Sequence, residues 1–234
     1  MIKYSLIIPC FNEAQNLRKL IKKCEAITEA DDIEVIIVNN GSTDNSSEIL
    51  GKLLSKPSRI SIVEIRKNIG YGHGIIFGIK KAKGEIIGWT HGDIQSDPTD
   101  FLRGITYFTA GKKNIFVKGL RKKRPLIDIL LTFGMSVFVS ILFKKSFFDI
   151  NAQPTIFHKI FLKDIKSPPK DFSLDLFFYA LARQKKMPIY RFPVFFKKRE
   201  RGLSSWNVYW YSKFKFTLLT LKSCFSIYKN IKKN

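Results

Sequence analysis

The stretch YSLIIPCFNE, residues 4–13, opens the pattern that decides the fold. Residues 4–9 form an apolar, β-branched run, and VIIV at residues 35–38 forms a second one. Between the two runs, apolar residues recur at helical spacing: Leu17, Leu20, Ile21, Cys24 and Ile27. The order of these segments therefore predicts a strand, a helix and a second strand.

The same alternation continues along the first half of the chain. GSTD at residues 41–44 supplies turn and N-cap chemistry before a short helix, and residues 60–65 have the composition of a strand. A glycine-rich stretch at residues 70–78 leads into a helix, and residues 85–89 form the fourth apolar run. Strands that alternate with helices predict an α/β fold whose mostly parallel sheet is flanked by helices.

Polar segments follow each predicted strand. They are residues 9–13, 39–42 and 66–68 and the loop WTHGDIQSDP at residues 89–98. Ligands of parallel sheets bind beyond the carboxyl ends of the strands, so we expect a site where these segments meet. Asp93 and Asp97 stand in the last loop. An Asp-Pro pair is also typical of a helix start, so capping is an open alternative for both carboxylates.

Composition narrows the class of protein. The chain has 234 residues with 41 Lys and Arg against 19 Asp and Glu, which gives a formal net charge of +22. This charge favours an anionic partner: nucleic acid, acidic lipid or a phosphorylated small molecule. A basic nucleic-acid-binding protein is the alternative class, but the chain shows no recognition-helix or single-strand-binding motif, so we expect no nucleic acid. The three cysteines have unrelated spacings and no secretory leader is present, which predicts a reduced, cytosolic protein.

The glycine-rich stretch does not match a dinucleotide fingerprint. Frames that begin at Gly70 and Gly72 fail at Ile75 and Phe77. The fingerprint also belongs after a first strand, and this stretch follows the third, so we expect no nicotinamide cofactor.

Six segments together resemble glycosyltransferase family 2 enzymes of GT-A fold, in the branch of dolichol-phosphate mannose synthase and bacterial polyprenyl-phosphate glycosyltransferases. The segments are IIPCFNE (7–13), VIIVNNGSTDNS (35–46), NIGYGHGIIFGIKKAKGEII (68–87), HGDIQSDP (91–98), NAQPTIF (151–157) and RERGLSSW (199–206). The resemblance implies an inverting transfer of a sugar from a nucleotide-sugar donor. The implied acceptor is a polyprenyl phosphate or another lipid-linked, membrane-embedded molecule.

A divalent cation suits this chemistry, because cleavage of a nucleotide-sugar leaves additional negative charge on the diphosphate. Mg²⁺ or Mn²⁺ binds carboxylate and phosphate oxygens and needs few protein ligands. The resemblance makes Asp93 the second Asp of the family's Asp-x-Asp motif, while His91 replaces the first. His91 could ligate Mn²⁺ or bond the ribose, or the metal could be held more weakly.

The resemblance also implies a donor pocket. Its predicted donor-binding residues are Pro9, Phe11, Glu13, Asn40, Asn68, His91 and Arg121. Asn40 replaces an Asp that accepts a hydrogen bond from the base, and its amide can either accept or donate. Arg66, Lys67 and the basic residues between 118 and 124 are candidate phosphate contacts.

Two further residues are candidates for catalysis beside Asp93. Asp175 matches the family's acidic residue near the acceptor and is the candidate base, with Asp171 as the second choice. Arg201, in a segment that matches the family's mobile loop at 199–206, is expected to stabilise the charge of the leaving group.

The second half of the chain predicts contact with a membrane. Residues 126–143 form an apolar run with a polar residue at every fourth position from 128 to 140, and residues 207–234 form a basic amphipathic helix rich in aromatic residues. Such helices suit an anionic membrane surface, although packing on the domain or on a second subunit of a homo-oligomer is an alternative. We therefore expect a nucleotide-sugar half (1–124), an acceptor half (125–206) and a terminal helix in a peripheral, monotopic protein at the cytoplasmic membrane face. A catalytically inactive relative acting as a membrane scaffold is the remaining alternative.

Overall fold

One mixed sheet organises the chain. The computed structural model describes residues 1–197 and 210–233. In these ranges the strands are β1 (Tyr4–Cys10), β2 (Ile33–Asn40), β3 (Ile60–Ile65), β4 (Ile86–Trp89), β5 (Phe116–Lys122), β6 (Thr155–His158) and β7 (Ile189–Phe195). The helices are α1 (Leu17–Ile27), α2 (Ser46–Leu53), α3 (Tyr71–Lys81), α4 (Asp100–Ile105), α5 (Leu126–Phe143), α6 (Leu174–Gln184) and α7 (Trp210–Lys233).

The strand order in the sheet is β3-β2-β1-β4-β6-β5-β7. Strands β1 to β4 run parallel, and β5 pairs in parallel with β7. Only β6 among the described strands runs antiparallel to its neighbours, β4 and β5. The predicted α/β fold with a mostly parallel sheet flanked by helices is confirmed.

Burial explains why β1, β2 and β4 are apolar runs rather than alternating sequences. All eight residues of β2 are buried, as expected for a strand that is covered by helices on both faces. The predicted apolar face of α1 is buried in full, from Leu17 to Ile27. Two apolar clusters, one on each face of the sheet, form the core and hold the carboxyl ends of β1, β2 and β4 at one edge.

Helix α5 has an inverted distribution of polarity. Its most exposed side chains are apolar: Leu126 at 84%, Ile141 at 72%, Leu130 at 65% and Leu131 at 63%. By contrast, Ser136 is 3% exposed on the side that faces the protein. The helix is long and apolar enough to cross a membrane. Only 11% of it is buried in the protein, so it is not a core helix.

The described part of α7 packs on the domain more closely than the sequence predicts. Cys224, Ile227 and Ile231 are buried in the core. Phe225 remains 48% exposed, and its ring lies 6.0 Å from that of Phe138 in α5. One side of α7 therefore serves internal packing, which was the alternative for this helix, while Phe225 extends the apolar surface of α5.

The sheet passes through both predicted halves of the chain. Strands β6 and β7 lie beyond residue 124 but pair directly with β4 and β5. The two predicted halves thus share one core as far as residue 197, and their division by function stays a prediction. Cys10, Cys24 and Cys224 are buried and free.

Candidate functional site

A cleft of about 320 Å³ opens at the carboxyl ends of β1, β2 and β4. Its lining residues are Pro9, Cys10, Phe11, Asn12, Glu13, Asn40, Asn68, Gly70, Tyr71, His91, Gly92, Asp93 and Phe172. The lining includes every predicted donor or metal residue except Arg121. Their roles stay predictions, but segments that are far apart in sequence meet where the parallel sheet requires them to meet.

Side-chain hydrogen bonds join the loops around the cleft. The Asn12 backbone N–H donates to Ser42 Oγ at 3.0 Å, and the Thr43 backbone N–H donates to Asn12 Oδ1 at 2.8 Å. These bonds connect the loops that follow β1 and β2. The Gly70 backbone N–H donates to Asn68 Oδ1 at 2.9 Å, which fixes the entry to α3. The cleft is therefore held by short polar turns rather than by apolar packing alone.

Asn40 presents one unused acceptor. Its amide nitrogen donates to the Gly70 carbonyl at 3.0 Å, so one of the two amide protons is already hydrogen-bonded. Its Oδ1 is buried and accepts no hydrogen bond from the protein. The side chain is 3% exposed, so a ligand group that donates to Oδ1 would satisfy an otherwise costly buried oxygen. Asn40 Oδ1 thus keeps its capacity to accept a hydrogen bond, and its role toward a nucleobase stays a prediction.

The loop after β4 contains the candidate metal ligands. Asp93 Oδ1 accepts from the Gln95 backbone N–H at 3.1 Å, which orients the carboxylate in a tight turn. Asp97 has a different role. Its Oδ1 accepts from the Thr99 backbone N–H at 3.1 Å just before α4, and its Oδ2 forms an ion pair with Lys23 Nζ at 2.6 Å. Burial opposes this ionised state, but hydrogen bonds from Lys23 and Thr99 lower the pKa of Asp97. The helix-start alternative therefore describes Asp97.

The residues present fit a divalent cation that is shared with a substrate. Asp93 and His91 line the same cleft. The described residues contain no group of three or more His, Cys, Asp or Glu side chains that could hold a metal unaided. A carboxylate and an imidazole suit a cation such as Mn²⁺ when phosphate oxygens and water complete its coordination.

Sequence reasoning missed the aromatic wall of the cleft. The Tyr71 and Phe172 rings are stacked with centroids 4.8 Å apart and planes 3° apart, and the His91 ring lies 5.5 Å from that of Tyr71. Phe172 reaches the cleft because the Lys170 carbonyl accepts from the His73 backbone N–H at 2.9 Å. The only local signal was the glycine-rich spacing around Tyr71, where a Cβ at Gly72 would lie 2.6 Å from a backbone oxygen.

Asp175 lies behind this wall and does not line the cleft. It is 2% exposed, and its Oδ1 accepts from Trp89 Nε1 at 3.2 Å and from Gln153 Nε2 at 2.6 Å. Lys118 Nζ is 3.9 Å from the same oxygen and donates to Thr155 Oγ1 at 2.7 Å. Burial lowers the pKa of Lys118 to about 8. The exposed second choice, Asp171, accepts from the Ser173 backbone N–H at the start of α6.

Three of the predicted phosphate contacts, Lys118, Arg121 and Arg124, do not line the cleft. The Arg121 guanidinium pairs with Asp149, and its Nε donates to Asp149 Oδ1 at 2.8 Å. Arg124 lies 3.7 Å from the same carboxylate and donates to Thr132 Oγ1 at 3.0 Å. Lys118 is fully buried and therefore cannot contact a phosphate in the cleft. Arg121 as a donor contact stays a prediction, and Arg201 lies outside the described residues.

Solved structures share the architecture of the whole domain. Glucosyl-3-phosphoglycerate synthase from Mycobacterium tuberculosis, solved with Mn²⁺, UDP and glucosyl-3-phosphoglycerate, superposes with a TM-score of 0.75 at 12% identity over 97% of this chain and 80% of that one. A mannosyltransferase from Pyrobaculum calidifontis, solved with GDP-Man and Mn²⁺, gives a TM-score of 0.63 at 19% identity over 86% of this chain and 58% of that one. At these identities the likeness shows the fold, and the predicted GT-A architecture is confirmed.

Curated relatives are more similar in sequence but match a smaller region. Undecaprenyl-phosphate 4-deoxy-4-formamido-L-arabinose transferase from Yersinia pestis (strain Pestoides F) is 33% identical over 106 residues, which are 43% of this chain and 32% of the relative. The Yersinia enterocolitica protein of the same name is 32% identical over 114 residues, or 47% of this chain and 34% of the relative. The matched region spans about a third of these relatives' length.

Every residue of the cleft lining except Phe172 lies within a region that matches a family model. The model of Glycosyl transferase family 2 matches residues 5–127, from β1 to the beginning of α5. The match covers more than half of the 234 residues and contains every predicted metal ligand. The chain belongs to glycosyl transferase family 2.

Proposed function

We propose that this protein transfers a sugar, with inversion, from a nucleotide-sugar to a polyprenyl phosphate or a related lipid-linked acceptor at the cytoplasmic face of a membrane. The observation that supports it most directly is that one cleft brings together the residues predicted to contact the nucleobase, the ribose and the metal. Relatives named for transfer to undecaprenyl phosphate support the acceptor class. Free cysteines are compatible with a reducing compartment.

Different residues of the cleft bind different parts of the nucleotide-sugar. Asn40 Oδ1 accepts a hydrogen bond from the base, and the stacked rings of Tyr71 and Phe172 form one side of the pocket. Asp93 and His91 hold the divalent cation together with the diphosphate. When bound, the cation supplies Lewis-acid stabilisation of the charge that develops on the leaving diphosphate. Arg201 is proposed to add a positive charge on the same group.

The acceptor chemistry is compatible with the position of Asp175. A lipid phosphate is already anionic near neutral pH, so its attack on the sugar requires no general base. A hydroxyl acceptor would need a base within hydrogen-bond reach of its proton. The cleft lining contains Glu13 and Asp93 as its only carboxylates among the described residues. Since Asp93 is assigned to the cation and Glu13, which accepts from Asn16 Nδ2, is assigned to the donor, a phosphate acceptor fits this site better than a hydroxyl.

Helix α5 supplies the proposed contact with the membrane. Most of its exposed side chains are apolar, and the exposed lysines Lys122, Lys123 and Lys144 border it at its two ends. A helix with an exposed apolar face and cationic ends suits the boundary between headgroups and acyl chains of an anionic leaflet.

The contacts of α5 favour a position along the membrane surface rather than across the bilayer. Thr132 accepts from Arg124, Ser136 is buried, and Ser140 Oγ accepts from the Phe147 backbone N–H at 2.9 Å. The polar side of α5 is therefore attached to the domain near both ends. To span the bilayer, the helix would have to leave these contacts or draw polar groups into hydrocarbon. We infer a peripheral, monotopic association.

The function can be tested in two stages. Thermal unfolding is measured with a panel of nucleotide-sugars, with and without Mn²⁺, and the donor that stabilises is then incubated with undecaprenyl phosphate in anionic vesicles. We expect metal-dependent stabilisation and a sugar-linked lipid product with inverted anomeric configuration. Stabilisation without transfer to any lipid phosphate would contradict the acceptor class. Absence of stabilisation by every donor would contradict the enzyme itself and favour the scaffold alternative.

A further inference from the structure

Asp175 is buried, does not line the cleft, and is surrounded by polar groups. A general base must lie within hydrogen-bond reach of the proton that it removes. Asp175 is 2% exposed, and the indole of Trp89 and the amide of Gln153, both fully buried, occupy its Oδ1. A buried carboxylate that accepts several hydrogen bonds orients the groups that donate to it and does not interact with solvent.

Tyr71 connects this buried carboxylate to the cleft. Gln153 Nε2 is 2.6 Å from Asp175 Oδ1 and 3.3 Å from the Tyr71 hydroxyl oxygen. An amide nitrogen only donates, so the Tyr71 oxygen accepts from Gln153 and keeps its own proton to donate.

Lys118 provides the positive charge that such an arrangement needs. A buried carboxylate without a partner is costly, and a cation nearby offsets this cost. The Lys118 ammonium lies 3.9 Å from Asp175 Oδ1 and is oriented by its bond to Thr155. Residues of β5, β6 and α6 thus meet behind a single side chain of α3.

We propose that Asp175 is a positioning residue that holds the Tyr71 hydroxyl, and through it the aromatic wall of the donor cleft, rather than the base that deprotonates the acceptor. The Tyr71 ring contacts Phe172 on the cleft side, and stacking alone would leave the ring free to slide. The hydroxyl end fixes its depth beside His91. The inference rests on the proposed function for its kinetic consequences, but not for its structural ones.

The kinetic test compares Tyr71→Phe, Asp175→Asn and the double variant. Loss of one hydrogen bond weakens an interaction by about two- to tenfold, so each single variant should raise the donor KM by that factor. The double variant should be no worse than the worse single variant, because both changes remove the same link. The acidic limb of the pH profile of kcat/KM should stay in place in Asp175→Asn, whereas loss of a base would abolish it. A loss of kcat of about a thousandfold in Asp175→Asn, with a silent Tyr71→Phe, would overturn the proposal.

A second measurement needs no substrate and separates this inference from the proposed function. Urea unfolding midpoints are measured for the same three variants, with Tyr190→Phe, alone and combined with Asp175→Asn, as the matched control. We expect Tyr71→Phe to shift the midpoint in the wild-type background and to have no further effect in the Asp175→Asn background. Tyr190→Phe should shift the midpoint equally in both backgrounds, since Tyr190 contacts Tyr107 outside the cleft. Additive shifts for Tyr71→Phe would show that the hydroxyl does not depend on Asp175, whatever the enzyme transfers.

Discussion

Replacing two leucines on the outer face of α5 should weaken membrane binding strongly without weakening the fold. Leu130 and Leu131 are 65% and 63% exposed, so little of either side chain supports the core. A Leu→Ala change removes three carbons, worth about 2.4 kcal/mol when they are fully buried in an apolar phase. Since about two thirds of each side chain is available to lipid, the pair Leu130→Ala and Leu131→Ala should cost about 3 kcal/mol. This cost corresponds to about a hundredfold lower partition into vesicles.

The assay is co-sedimentation with vesicles that contain phosphatidylglycerol, titrated with lipid at constant ionic strength. Ile160→Ala is the matched control, because Ile160 is 46% exposed but follows the end of β6 that pairs with the start of β4, at the opposite edge of the sheet. We expect the control to bind like the wild type and the α5 variant to retain its thermal unfolding temperature. Unchanged sedimentation of the α5 variant would refute the membrane assignment of this helix.

Four further changes test the cleft and its support. Asp93→Ala should abolish transfer and Mn²⁺-dependent thermal stabilisation while leaving the unfolding temperature without ligand unchanged; near wild-type turnover would contradict the metal assignment. His91→Asp restores the family motif and should retain activity with tighter metal binding by calorimetry, whereas complete loss would give His91 a separate role. Asn40→Ala removes the free acceptor and should lower affinity for UDP or GDP by about tenfold, and equal affinity would remove Asn40 from the base site. Lys118→Met leaves Asp175 buried and unpaired and should cost about 3–5 kcal/mol in urea unfolding, and a neutral effect would deny the charge pair.

Strands β1, β2 and β4 could be predicted because buried parallel strands have continuous apolar sequences, and β3 because it is a short run rich in isoleucine and valine. The residues around the cleft could be predicted because polar side chains follow those runs. The wall formed by Tyr71 and Phe172 could not, since it depends on how the loop before α6 packs on α3. Nor could the burial of Asp175, because a carboxylate in the first turn of a helix has the same local sequence whether it faces water or a core.

The sequence of α5 shows a polar residue at every fourth position, but it does not show whether this polar face contacts the domain or solvent. A polar stripe on an apolar helix usually faces solvent, whereas Ser136 faces the domain. The buried face of α7, with Cys224 and Ile227, was likewise hidden by the more prominent aromatic stripe in the sequence. In α5 the spacing predicted the polar face but not its direction, and in α7 only packing could identify the buried face.

The antiparallel direction of β6 has a consequence for how this protein can change. Strands β5 and β6 are antiparallel neighbours, and such strands need only a two-residue turn between them. Everything from Lys123 to Pro154, including α5, is therefore an enlarged hairpin connection inserted at the rim of the sheet. Its outer part can be shortened, lengthened or recoded without altering the register of a single strand. The exposed face of α5 can therefore change without touching the cleft, whereas Gln153, at the far end of the same connection, cannot, because it donates to Asp175 and to the Tyr71 hydroxyl.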